Sequence, residues 1–320
     1  MFVDIALILL ALAVLLVGGD LLVRGAVGAA AALKIPPLLV SLTIIAFGTS
    51  APELFVSVTS VLEHEPGIAI GNIIGSNIAN VFLVLGLPAL IYPMSAHVPG
   101  LRRHAIAMLI ATGAFAAIAY GAGSLDRPVG AALFAGIILY VLFLAVMARQ
   151  TKGRDPVIDE VREYAEGARD NLGASALYII AGLIGLPVGA HLLVDSGSSI
   201  AQAIGVREEL IGLTVVAFGT SLPELATVVA AAFHKKSDVA IGNVVGSNIF
   251  NILAVGGATG LAGTAPFSAD SLALDVPAMI VAALALSLFV LMRRDIGRVA
   301  GLVFVLAYAG FLAVVASQAG

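Results

Sequence analysis

The sequence predicts an all-α integral membrane protein: ten transmembrane helices forming two inverted five-helix repeats, with broken helices near the midplane. Three observations predict it. The 320 residues are 60% hydrophobic and only 11% charged, with a mean hydropathy of +1.10. A motif-rich block recurs in the second half at a constant offset of 171 residues. The basic residues gather on alternate loops.

Composition decides the solvent. A soluble domain is about 45–50% apolar and about 25% charged. This chain carries more apolar surface than a water-facing fold of its length can hide, so lipid must be its solvent. There is no cysteine, which removes disulfides, thiolate metal sites and cysteine nucleophiles. Apolar runs long enough to cross a bilayer, about 20 residues each, lie near 2–26, 36–62, 67–92, 102–122, 128–148, 173–200, 208–233, 238–262, 271–292 and 298–317. The first run starts with Asp4 instead of basic residues and lacks a clean cleavage site, so it is expected to be a helix and not a signal peptide. Spans two, three, seven and eight hold Gly, Pro, Ser, Thr and Asn at mid-length and are expected to be broken or kinked.

Charge orients the spans. Of sixteen basic residues, fourteen follow odd-numbered spans, and only Arg127 and Arg207 fall on the other side. This positive-inside bias predicts a multi-pass protein of the plasma (inner) membrane with both termini outside. The domain plan is a first repeat over 1–148, a cytoplasmic linker over 149–172, and a second, inverted repeat over 173–320. The linker is highly charged and reads as a solvated connection with room for a short amphipathic helix, not as an inserted soluble domain.

The repeat is the strongest signal. Residues 42–86 and 213–257 align without a gap. AFGTS-x-PEL recurs as Ala46–Leu54 and Ala217–Leu225, and IGN-x-x-GSNI-x-N as Ile70–Asn80 and Ile241–Asn251. Five spans per half is an odd number, so the halves must enter the membrane in opposite senses. Inverted repeats of this kind place ion sites near the midplane, on discontinuous helices from both halves.

Glu53 and Glu224 fall at mid-depth, where an isolated charge is costly and needs a partner or a pathway. No basic residue of either half shares that depth, so a cation is the natural partner. Pro52 and Pro223 each remove a backbone donor, which is expected to free upstream carbonyls, those of Ala46 and Ala217 included. Thr49 and Thr220 precede the glutamates by four residues and share their helix face; Ser76 with Asn80, and Ser247 with Asn251, have the same spacing. All of these are hard oxygen donors, with no His among them. Calcium takes about six to eight oxygens, whereas transition metals favour His or Cys. Two carboxylates balance one Ca²⁺, or sodium ions or protons in its place. Emptied, they would leave two like charges in a poor dielectric, so obligatory exchange is expected.

The flanking residues read as scaffold. Gly71, Gly75, Gly242 and Gly246 read as helix-contact positions. Asn72, Asn77, Asn243 and Asn248 are expected to bond interrupted backbone of the facing helix instead of the ion. Asp20, Asp195, Asp270 and Asp275 are placed near span ends as solvated or structural groups, and His191 receives no role.

In these motif blocks the chain resembles the sodium/calcium exchanger family of the cation/calcium antiporter superfamily, most of all its short prokaryotic members. The blocks match the family's two alpha-repeats. The resemblance implies that Glu53 and Glu224 are central carboxylates shared by calcium and sodium, with Thr49 and Thr220 adding oxygens to calcium. It implies that Ser50, Ser221, Ser76 and Ser247, with the carbonyls of Ala46 and Ala217, help hold sodium, and that Asn80 and Asn251 flank the centre. It also implies that the first span of each half slides against the rest. Asn251 stands where potassium-dependent relatives have Asp, which argues against potassium co-transport. The GSN segment favours sodium over protons as counter-ion, although a proton/calcium antiporter and, more remotely, a passive channel stay open. Electrogenic exchange is implied. There is no zinc-protease motif and no paired catalytic aspartate, so no enzymatic activity is expected. The expected cargo is Ca²⁺ and Na⁺, with no cofactor. The bilayer is the expected partner; nucleic acid and an obligatory protein partner are not, since one chain holds both half-sites.

Overall fold

The computed structural model describes residues 2–33, 37–150, 172–203 and 217–318. Lys34, Arg207, most of the linker (151–171) and the start of span seven (208–216) lie outside the described residues. What is described is almost entirely helical. Among the described residues, eight helices are long and apolar enough to cross a membrane, and a bent pair adds a ninth. The remaining expected span is described only from Ala217 onward.

The first half opens with α1 (Phe2–Leu33). Next come α2 (Ser41–Thr49) and α3 (Ala51–Leu62), bent by 46° at Ser50. The bend has a local cause. Pro52 lacks an N–H and its ring crowds the carbonyl four residues back, so Ser50 takes φ −84°, ψ 6° and a new helix starts at Ala51. Then follow α4 (Pro66–Ile91), α5 (Leu101–Gly121) and α6 (Arg127–Gln150).

The second half holds α7 (Leu172–Ala203), α8 (Ala217–Thr220), α9 (Leu222–Phe233), α10 (Ser237–Ala262), α11 (Ser271–Leu291) and α12 (Arg298–Gln318). Ser221 breaks α8 from α9 with φ −86°, ψ 2°, nearly the dihedrals of Ser50. Identical AFGTS-x-PEL sequence has produced identical backbone.

Spans three and eight, expected to be broken or kinked, take one continuous course each. Neither is broken; each widens into a π turn, over Asn80–Leu85 in α4 and Asn251–Val255 in α10. A π turn accommodates the irregularity while keeping backbone groups bonded within the helix, which matters where no water can satisfy them. Asp20 also differs. It lies well inside α1, which continues to Leu33, instead of near a span end.

The offset of 171 residues extends to tertiary contacts. A β-bridge joins Met94 to Ile296, and the short strands β1 (Ser124–Leu125) and β2 (Ala265–Pro266) pair Leu125 with Ala265. Adding 171 to Met94 and to Leu125 gives Ala265 and Ile296, so one bridge is the repeat image of the other.

α10 forms the centre, with 94% of an 18-residue apolar stretch buried, against 11% of the corresponding stretch of α12. α1 and α7 lie against each other, backbone to backbone. A Cβ at Gly25 would stand 2.8 Å from the Ser175 carbonyl, one at Gly182 2.8 Å from the Gly18 carbonyl, and one at Gly189 2.9 Å from Leu15. Positions rise in one helix as they fall in the other, so the two run antiparallel. Small residues permit this approach where lipid offers no hydrophobic drive.

Candidate functional site

Both glutamates sit in the first turn of a re-started helix, Glu53 in α3 and Glu224 in α9. The unpaired N–H groups and positive dipole end there favour negative charge. Glu53 is 1% exposed and Glu224 is fully buried. No ion pair among the described residues reaches either one.

The two motif sets meet across the halves. Ser50 donates its hydroxyl to Glu224 Oε1 at 3.2 Å. The Thr49 and Ser247 hydroxyls lie 3.4 Å apart. Asn251 Nδ2 donates to Ser76 Oγ at 3.0 Å, and Asn80 Nδ2 donates to Asn248 Oδ1 at 3.1 Å. Thr49, Ser50, Ser76, Asn80, Ser221, Ser247 and Asn251 are all buried, and Thr220 is half-buried. Ala217 begins α8, on the same helix turn as Thr220.

After these bonds, oxygen acceptors remain. Both carboxylate oxygens of Glu53, Oε2 of Glu224, the amide oxygens of Asn80 and Asn251 and the Ser221 hydroxyl are buried without a hydrogen-bond partner among the described residues. A buried acceptor left unpaired costs about 1–3 kcal/mol, and more if charged. These orphans come from both halves and are all oxygen. That is a donor set for a hard cation, with carboxylates for charge and amide and hydroxyl oxygens to complete coordination. Among the described residues, no cluster of three His, Cys, Asp or Glu exists, so charge at the centre rests on the two glutamates.

One expectation fails in detail. The Ala46 carbonyl is not freed by Pro52. It accepts the Ser50 N–H at 3.1 Å and the Thr49 hydroxyl at 3.4 Å. A proline blocks the bond of the residue four before it, here Gly48, so Ala46 keeps its own partner.

The scaffold residues divide. Asn72 Nδ2 donates to the Glu53 carbonyl at 3.0 Å and to Ser57 Oγ at 2.8 Å, tying α4 to the interrupted helix as expected. Asn248 Nδ2 reaches the Asn77 carbonyl at 3.3 Å, across to α4. Asn77 bonds its own helix, at the Ile73 carbonyl. Asn243, the repeat image of Asn72, has no partner on either side-chain atom. Its image of Ser57 is Val228, which offers no hydroxyl. Gly246 packs closely, since a Cβ there would stand 2.7 Å from Ala46 Cβ; among the described residues, Gly71 and Gly75 face no neighbour within 4 Å.

An ionic cluster away from the centre was missed at the sequence level. Asp20 pairs with Arg24 at 2.8 Å and with His234 Nε2, which joins α1 to the turn after α9. Hydropathy treats Asp20 as the mark of a span's end, and nothing in the linear sequence brings His234 to it.

Comparison with known proteins gives consistent relatives. The profile of the sodium/calcium exchanger protein family matches residues 3–151 and 174–316. The chain is 34% identical over 314 residues to the putative antiporter CaxA of Alkalimonas amylolytica, covering 97% of this chain and 98% of that protein. It is 31% identical to the sodium/calcium exchanger MaX1 of Methanosarcina acetivorans, with 98% of each covered. It is 37% identical to the inner membrane protein YrbG of Escherichia coli over 80% of this chain. Among solved structures, the sodium-calcium exchanger NCX_Mj superposes with a TM-score of 0.82 at 32% identity, with 97% of each chain covered.

Proposed function

Because this chain belongs to the sodium/calcium exchanger family, and is thus a multi-pass membrane antiporter, we propose that it exchanges Na⁺ for Ca²⁺ at one midplane site. Exchange is electrogenic and independent of potassium. The observation that carries this reading is the pair Glu53 and Glu224, buried without a basic partner and ringed by orphaned oxygens from both halves. Glu53 and Glu224 carry the charge for either ion. Thr49 and Thr220 supply calcium oxygens. Ser50, Ser221, Ser76 and Ser247, with the Ala217 carbonyl, serve sodium, and the Ala46 carbonyl joins them when the Thr49 hydroxyl turns away from it. Asn80 and Asn251 close the flanks through their amide oxygens.

The architecture in this reading is ten spans in two inverted repeats, 1–148 and 173–320, joined by a cytoplasmic linker over 149–172, with both termini outside. Its support is the antiparallel course of α1 and α7, helices related by the 171-residue offset. The repeat-related bridges Met94–Ile296 and Leu125–Ala265 agree with it. Access alternates as α1 and α7 slide together against the remaining helices. A single chain suffices, with the bilayer as its partner and no cofactor.

The test is radioactive calcium uptake into sodium-loaded proteoliposomes. Uptake driven by outward sodium, with net current, is expected. Uptake driven only by a proton gradient of equal size would move the function to proton/calcium antiport at the same site. In the same assay Asn72→Ala is expected to slow uptake about fivefold, the equivalent of one net hydrogen bond of about 1 kcal/mol. The Glu53 carbonyl would lose its brace from α4.

A further inference from the structure

The cluster at Asp20 has a repeat image of opposite sign. Adding 171 takes Asp20 to His191 and Arg24 to Asp195, and subtracting it takes His234 to Glu63. Every charge inverts, so every attraction survives. The intrahelical pair Asp20–Arg24 has its image in His191–Asp195, at 3.2 Å in α7. The interhelical pair Asp20–His234 would have its image in His191–Glu63.

The turns that carry His234 and Glu63 are also images. Glu63 caps α3 with φ −86°, ψ 8°, and His234 caps α9 with φ −84°, ψ 4°. The next residues, His64 and Lys235, both have positive φ. Glu65 N–H bonds the Ser60 carbonyl, as Lys236 N–H bonds that of Ala231. The two turns therefore present their charged side chains alike.

Only one of the interhelical pairs is made. His234 holds Asp20. Glu63 is exposed and, among the described residues, in no ion pair, and the His191 side chain is 77% exposed. The packing is equally one-sided. A Cβ at Gly19 of α1 would stand 2.7 Å from the Ala226 carbonyl of α9. The image of Ala226 in α3 is Phe55, which is 71% exposed where Ala226 is 8% exposed. In an inverted repeat the opposite-facing state is reached when the halves exchange conformations.

We propose that Asp20–His234 and His191–Glu63 are two latches on opposite membrane faces, made alternately as α1 and α7 slide, with the first made in the state described here. The proposal rests on the sliding-exchange reading above. Asp20, His234, His191 and Glu63 touch no ion; they are positioning residues that weight the two states.

The absence of native cysteine allows a direct test. Asp20→Cys with His234→Cys, and separately Glu63→Cys with His191→Cys, are placed in the full chain in proteoliposomes and oxidised during turnover. Both pairs are expected to cross-link. Each link is expected to cut sodium-driven calcium uptake at least about tenfold, and reductant to restore it. Cross-linking is read chemically, on protein resistant to thiol alkylation, so it stands apart from flux. If wild-type protein shows no sodium-driven uptake, the exchange reading fails. If uptake is normal but Glu63→Cys and His191→Cys never link, the latch proposal is overturned.

A second measurement covers a variant that folds poorly. Phe55→Cys is labelled by a small membrane-permeant thiol reagent, alone and with either latch broken. Asp20→Asn is expected to slow labelling about threefold and Glu63→Gln to speed it about threefold, as a part-buried ion pair of modest strength allows. Shifts of the same sign would overturn the proposal, because a merely structural role predicts no opposition.

Discussion

Glu53→Gln and Glu224→Gln are each expected to lower sodium-driven calcium uptake by about 100-fold or more, with the protein still folded. The change removes one of the two charges proposed to face the cation and leaves shape almost unaltered. Ligand charge count tunes calcium affinity over several decades, and every tenfold is about 1.4 kcal/mol. Folding does not depend on either charge, since both carboxylates are buried with orphaned oxygens and no ionic partner. The apparent Tm in detergent is therefore expected to hold or rise. The two variants differ in one respect. Glu224→Gln keeps an oxygen that can still accept from Ser50, whereas Glu53→Gln acts on a group with no protein partner. Calcium uptake retained within tenfold in either variant would remove that glutamate from the transport site.

The second large effect separates two glycines that the sequence makes equivalent. Gly246→Ala is expected to lower the apparent Tm by about 3–10 °C, from an overpacking cost of about 1–3 kcal/mol. Its Cβ would meet Ala46 Cβ at 2.7 Å and Leu42 Cα at 3.0 Å. Neither is the far end of a flexible side chain, so α2 must move off α10. That movement also parts Thr49 from Ser247, so uptake is expected to fall with stability. Gly75→Ala, the repeat image, meets no described residue within 4 Å. It exchanges a poor helix former for a good one, so Tm is expected to stay or rise. Melting curves of the two purified variants check this, and equal losses would contradict the one-sided packing.

Much of the site was legible because its signals are local and doubled. Pro52 and Pro223 mark the breaks at Ser50 and Ser221 through their own stereochemistry. Glutamates at mid-depth without a base nearby are the basis of the proposed cation site, and both are buried. Other features were not legible. The π turns at Asn80–Leu85 and Asn251–Val255 widen a helix without a residue type that demands it. The Ala46 carbonyl was misjudged because the bond proline breaks is set by register, not proximity. The Asp20–His234 pair escaped because repeat matching looks for identity, and its image carries reversed charge.

The sequence by itself determined the membrane solvent, the 171-residue duplication and the oxygen-rich donor set around two glutamates. These follow from composition and short-range stereochemistry, which act alike wherever the same residues occur; Ser50 and Ser221 duly share one backbone conformation. Only the tertiary structure decided which member of each equivalent pair is engaged. Among the described residues, Ser50 reaches Glu224 while the Ser221 hydroxyl has no partner, Asn72 braces a carbonyl while Asn243 braces none, and Gly246 is packed while Gly75 meets no neighbour. The physical reason is that a local motif specifies its own dihedrals but not the distance to a helix far along the chain. Close packing brings one copy of each pair into contact and leaves the other apart.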